Sequence, residues 1–87
     1  MIMWAKIIRV SPQYGALVVY AGYSGRTITI ESLDGTGQEY YADTKAYESN
    51  NKTIYAAVFP ALPPGNYYIR YSKKVTVFPG AIAEVYL

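Results

Sequence analysis

The sequence predicts a small all-β protein, an antiparallel Greek-key β-sandwich of seven to eight short strands, folded as one domain over residues 1–87. Three observations predict it. Apolar and polar residues alternate with period two in several short runs, clusters of Gly, Pro, Asn and Asp separate those runs, and no stretch of ten residues holds a helical period.

The opening segment, residues 2–10, mixes polarity and reads as a strand that Ser11-Pro12 ends. Ala16 to Tyr20 is continuously apolar, which suits a central strand covered on both faces. After the turn residues between Gly22 and Gly25, Arg26 to Glu31 alternates cleanly. Ile28 and Ile30 share one face of that half-buried strand, and Thr27, Thr29 and Glu31 share the other. Asp34-Gly35-Thr36-Gly37 is a turn, and Ile54 to Phe59 is a second continuous apolar run. In Phe59-Pro60-Ala61-Leu62-Pro63-Pro64-Gly65 the prolines and the glycine stop the pairing and turn the chain, with Leu62 plugging the core. The chain restarts with Tyr67, Ile69 and Tyr71 alternating with Tyr68, Arg70 and Ser72.

Val75 and Val77 alternate with Lys74, Thr76 and Phe78, and residues 82–86 follow after Pro79-Gly80-Ala81. Residues opposite one another in an antiparallel pair share a face, so a three-residue loop sets Val77 across from Ala83 and Val75 across from Val85 on the core side. Phe78 then faces Ile82, Thr76 faces Glu84 and Lys74 faces Tyr86 on the outside. Phe78, Ile82 and Tyr86, with Tyr68 on the next strand, form a candidate partner-binding patch with a polar rim. The competing reading has residues 1–10 folded over it.

Composition excludes several function classes. The chain has neither Cys nor His, which removes disulfides, thiolate and imidazole metal ligands and the usual general base. Its net charge of +2 is spread thinly, with Lys73-Lys74 the one adjacent basic pair, unlike the concentrated basic face of a nucleic-acid binder. Lys6 and Arg9 interrupt the opening segment, unlike a secretory signal, and no apolar run is long enough to span a bilayer as a helix. The initial Met suggests a complete small protein, and no compartment follows from the sequence. Eleven tyrosines are the outlier, serving both as strand residues and as rigid amphipathic contact residues.

Residues 55–69, with the run Phe59-Pro60-Ala61-Leu62-Pro63-Pro64-Gly65-Asn66-Tyr67, followed by Lys74 to Val85, resemble the prealbumin-like carboxypeptidase-regulatory-like family. The resemblance covers mainly the last third of the chain. It implies a seven-stranded Greek-key sandwich used as an appendage, structural repeat or carbohydrate-associated module without catalysis of its own. Where that family has a short Asp-x-x-Gly turn before the Phe strand, this chain has the longer segment 43–52. Read as a loop on a rigid sandwich, it makes Tyr40, Tyr41 and Tyr47 candidate contact residues, against the alternative of a solvated hairpin extension.

No catalytic constellation survives inspection. The six carboxylates show no paired spacing, Asp34-Gly35-Thr36 is a turn and not an Asp-Thr-Gly motif, and no alternating Asp/Asn run supplies a calcium cage. An isopeptide bond from Lys6 lacks an Asn or Asp acceptor on the last strand. No enzyme activity, cofactor or metal is therefore expected. The expected function is a structural or assembly module docking through an exposed aromatic-apolar sheet face onto a protein surface or copies of itself, as in a larger shell or filament such as a phage particle. The alternative is a carbohydrate-binding module stacking sugars on Trp4 or tyrosines, with Asn50, Asn51 or Gln38 as polar contacts. Single-stranded nucleic acid held by tyrosines with Arg26, Arg70, Lys73 and Lys74 lacks a basic groove.

Overall fold

The apolar runs and alternating runs become central and flanking strands of two stacked sheets. The computed structural model describes residues 4–35 and 37–87. One helical turn, α1 (Trp4–Ile7), precedes eight strands: β1 (Gly15–Ala21), β2 (Thr27–Ser32), β3 (Glu39–Asp43), β4 (Lys45–Ser49), β5 (Lys52–Leu62), β6 (Gly65–Ile69), β7 (Lys74–Val77) and β8 (Ile82–Tyr86). Sheet A has the order β4-β5-β1-β8 and sheet B the order β3-β2-β6-β7. The result is an all-β sandwich of eight strands, antiparallel except for the β1–β8 pair, which is parallel.

Between the sheets lie Leu17, Val19, Ala57, Phe59 and Val85 from sheet A and Ile28, Ile30, Tyr67, Ile69 and Val77 from sheet B. Leu62 closes this core, and the Tyr67 hydroxyl donates to the Pro63 carbonyl across the proline turn. The continuous apolar character of β1 has the cause expected of it. Leu17 and Val19 face the core while Ala16 and Val18 face outward, where Trp4, Ile8 and Ala56 bury them.

The opening segment is a correction: residues 4–7 form a helical turn and not a strand, and Ile2 and Met3 lie outside the described residues. The Ile8 N–H donates to the Trp4 carbonyl at 2.7 Å, and the i, i+4 spacing aligns both apolar side chains toward sheet A. A strand here would present alternate residues to opposite sides and leave half of them uncovered.

The final hairpin is a second correction. β7 pairs with β6 in sheet B, and β8 pairs with β1 in sheet A, so Phe78 does not sit across from Ile82 nor Val75 across from Val85. Gly80, at φ 72°, donates to the Tyr14 carbonyl at 2.8 Å and the Ala81 carbonyl accepts from Ala16 at 2.9 Å, which carries the chain across to β1. Side-chain parity still puts Val77 and Val85 in the core. Parity fixes faces but not partners. The crossing hugs Gly15, where a Cβ would collide with Val77 Cγ1 and the Phe78 carbonyl.

Of the two readings of segment 43–52, the structure has the hairpin extension and not the loop. β4 pairs with β5 through a two-residue turn, Asn50-Asn51, whose φ values of 50° and 64° suit a right-twisted hairpin. Thr44 makes the corner from sheet B to sheet A: buried, its Oγ1 accepts from the Arg26 N–H at 2.9 Å and donates to the Tyr23 carbonyl at 2.8 Å. Farther on, Pro60 falls where β5 has run past β4, at a bulge opposite β1 between the Leu17–Phe59 and Gly15–Leu62 pairs. Tyr71, expected to share the inner face with Ile69, is 90% exposed at φ 64°, because β6 ends at Ile69 and a turn begins.

Replacing Thr44 by Val keeps the shape but strands the Arg26 N–H and the Tyr23 carbonyl, and should cost about 1–3 kcal/mol. Urea unfolding would measure it as a lower midpoint at unchanged slope, with Thr44→Ser close to wild type.

Candidate functional site

The two outer faces of the sandwich differ in kind. Sheet B turns Thr27, Thr29, Glu31, Glu39, Asp43, Asn66, Lys74 and Thr76 outward, an ordinary solvated surface on which Arg70 pairs with Glu39. Sheet A turns Ala16, Val18, Tyr20, Ala56 and Ile82 outward, so it is apolar on both sides. The N-terminal turn covers part of that outer face and aromatic side chains finish it.

Tyr20 is the centre of this aromatic cluster. The Trp4 Nε1–H donates to the Tyr20 hydroxyl at 2.6 Å, and that hydroxyl donates to Glu84 Oε1 on β8. The Tyr20 ring stacks on Tyr86 at 4.5 Å and 11°, while Tyr47 from β4 meets Trp4 edge-on at 5.1 Å and 78°. Burial, then the bond to Glu84, pushes the Tyr20 hydroxyl up to about 12, since ionising it would put charge in a poorly solvated place beside a carboxylate. Burial likewise raises Tyr67, and the Tyr41 hydroxyl is raised by its bond to Glu39.

The residues singled out from sequence are dispersed. Ile82 and Tyr86 share the outer face of sheet A with Glu84 between them, Ile82 tucked against the N-terminal segment and Tyr86 66% exposed. Phe78 is exposed at the corner between the sheets, and Tyr68 lies on the opposite outer face, between Glu31 and Lys74. The four therefore do not form one patch. Tyr40 points inward against Tyr67, Tyr41 is 63% exposed on sheet B, and Tyr47 belongs to the Trp4 cluster. Trp4 itself is 4% exposed, so it offers no face for sugar stacking.

Tyr20 and Glu84 are not among the site residues read from the sequence, because the unbroken apolar run Ala16 to Tyr20 gives no sign of which side of β1 faces outward. Beside them, a groove of about 340 Å³ opens where β1 and β8 end, at Ala21 and Tyr86, while the β4–β5 hairpin runs on. Tyr86, Tyr20 and Glu84 form one wall; Ser49, Asn50, Lys52 and Ile54 form the other.

The free edge of β8 is the other notable feature. In a parallel ladder every second residue bonds the neighbour, and here the Ala81 carbonyl and the Leu87 N–H bond β1. Ile82, Glu84 and Tyr86 therefore aim their N–H and C=O groups away from β1. Only the Tyr86 carbonyl, which accepts from Lys73 Nζ at 3.1 Å, has a partner among the described residues. The other edge strands carry charges that discourage pairing: Glu39 and Asp43 on β3, Lys45 and Glu48 on β4, Lys74 on β7. β8, Ile-Ala-Glu-Val-Tyr, has only Glu84, already bonded to Tyr20.

Among the described residues no group of three His, Cys, Asp or Glu could hold a metal ion, and no helix is long and apolar enough to cross a membrane. No protein-family model matches the chain, and the searches of curated proteins and of solved structures found no match either.

Tyr20 is protonated in the folded protein above the pH at which an unfolded tyrosine ionises, so its contribution to stability is full below pH 10 and is lost as pH rises toward 12. Thermal melts between pH 9 and 12 should show wild type losing stability through that window more steeply than Tyr20→Phe. Equal slopes would contradict the assignment.

Proposed function

We propose that this protein is a non-catalytic structural module that docks through the free edge of β8 and the aromatic-apolar surface beside it, onto a protein surface or a second copy of itself. What carries the reading is the contrast among the four edge strands. β3 and β4 bear two charges each that keep sheets from pairing; β7 and β8 bear one each, and on β8 that one, Glu84, is bonded to Tyr20. The outward backbone groups of β8 lack partners among the described residues except at the Tyr86 carbonyl, and the strand has exposed Phe78 before it and exposed Tyr86 at its end. A strand laid against β8 would gain main-chain hydrogen bonds, and the flanking aromatic rings would supply side-chain contact.

For a second copy across a two-fold axis, residues with outward backbone groups must face one another. A register with Glu84 opposite Ile82 or Tyr86 of the copy keeps the two carboxylates apart, whereas Glu84 opposite Glu84 is disfavoured. The resemblance to prealbumin-like regulatory sandwiches belongs to the same proposal. It implies seven strands, and β4, the eighth, comes from the segment 43–52 that is longer here than in that family. A two-fold pair through β8 closes on itself, so a place in a larger shell or filament calls for docking of the β8 edge onto a different protein surface.

Ile82→Pro tests the reading, because proline removes an outward N–H at the first position of β8 and leaves the bonds to β1 in place. Light scattering over a concentration series should show a defined oligomer for wild type and monomer for Ile82→Pro, with Tyr41→Ser on the opposite face behaving as wild type. An oligomer that survives Ile82→Pro, or a wild-type monomer that does not bind a peptide of residues 81–87, would overturn it.

A further inference from the structure

The groove at the end of β1 has a chemistry distinct from strand pairing. We infer that it is a binding site for a neutral saccharide ring, which goes beyond the docking reading and does not depend on it. Its origin is topological: β1 stops at Ala21, opposite Tyr55, and β8 stops at Tyr86, opposite Tyr20, while the β4–β5 hairpin continues to Asn50-Asn51. The hairpin standing beyond these two strand ends leaves a notch of about 340 Å³, near the lower end of small-molecule sites at about 300–1,000 Å³.

The lining is specific in kind. Tyr86 offers an exposed ring whose other face is held by stacking on Tyr20 at 4.5 Å, so the platform is in place before a ligand arrives. The Tyr20 hydroxyl is committed to Trp4 and Glu84 and contributes no ligand contact. Instead it fixes the Glu84 carboxylate by Oε1 and leaves Oε2 as an acceptor. Across the notch the side chains of Ser49, Asn50 and Lys52 make no hydrogen bond among the described residues, and Lys52 makes no ion pair.

An oriented aromatic face, a carboxylate acceptor on one wall and an ammonium, an amide and a hydroxyl on the other suit a ligand with an apolar C–H face and hydroxyls on its rim. Each hydroxyl both donates and accepts, so one ring can satisfy both walls. Lys52 and Glu84 balance in charge, which disfavours a phosphate or a free carboxylate. A wholly apolar peptide side chain would leave the same polar groups desolvated and unpaired.

The test titrates isotope-labelled protein with neutral cello-, xylo-, malto- and chito-oligosaccharides, at a dilution where the chain is monomeric, and follows amide and indole NMR signals. We expect saturable shifts for the Asn50 side-chain amide and for the Trp4 indole N–H, which is linked to the notch through Tyr20 and Glu84. Tyr86→Ala should weaken binding at least tenfold and Lys52→Met several-fold, the latter guarding against a fold defect in the former. Tyr41→Ala and Ile82→Pro should leave binding unchanged, so loss of the docking reading and loss of this one are separable. No saturable shift with any of the four series, or binding that Tyr86→Ala and Lys52→Met both leave intact, would overturn the inference.

Discussion

The structure depends on the double burial of β1. Ala16 to Val19 is apolar at every position, so whichever face of sheet A packs on sheet B, the other must be removed from water. The inner face is satisfied by the sandwich. The outer face is satisfied by a single helical turn that places Trp4 and Ile8 over Ala16, Val18 and Ala56. Burying side chains of this size is worth about 1.5–3 kcal/mol each, a large share of the net stability of a domain of 87 residues. Trp4 is anchored by polarity as well, because its indole N–H finds the Tyr20 hydroxyl and through it Glu84.

That cover reaches only part of the face, and the rest of the surface chemistry follows from where it stops. Beyond it, Tyr20 and Tyr86 close the sheet by stacking on each other. The β7–β8 crossing brings β8 to the open side of β1 in parallel, a geometry that a tight hairpin cannot supply. Because β8 is the last strand of sheet A, the alternation of the parallel ladder turns the backbone groups of Ile82, Glu84 and Tyr86 outward. Gly15 permits the crossing to pass close enough for this, and Thr44 anchors the other place where the chain changes sheets.

The fold class was legible in the sequence because strand patterning is local. Ile28 and Ile30, Tyr67 and Ile69, and Val75 and Val77 each take the inner side that alternation assigns them, and Leu62 occupies the core as its position between prolines implies. Pairing was less legible, because two strands that share a face can lie in one sheet or in opposing sheets. The Val77 and Val85 side chains meet the same core either way, and only the contacts of Gly80 and Ala81 with Tyr14 and Ala16 decide between them. Segment 43–52 was open between loop and hairpin extension for a related reason. Its alternation is short and charged, and its strand character comes from pairing with β5, not from its own pattern. Of the site, Tyr86 was visible as an outward aromatic residue, whereas the cluster around Tyr20 required the fold of residues 4–8, distant in sequence from β8.

The central claim is that β8 is bonded on one side and open on the other, and that the open side is where partners add. Residue-resolved amide hydrogen exchange tests this directly, since Ala83 and Val85 donate toward β1 while Ile82, Glu84 and Tyr86 donate outward. The account predicts that in dilute solution the first pair is protected and the three others exchange quickly, and that the three gain protection when the protein is concentrated or given a strand partner. Uniform protection along β8 in dilute monomer, or outward amides that stay fast in a demonstrated complex, would contradict it.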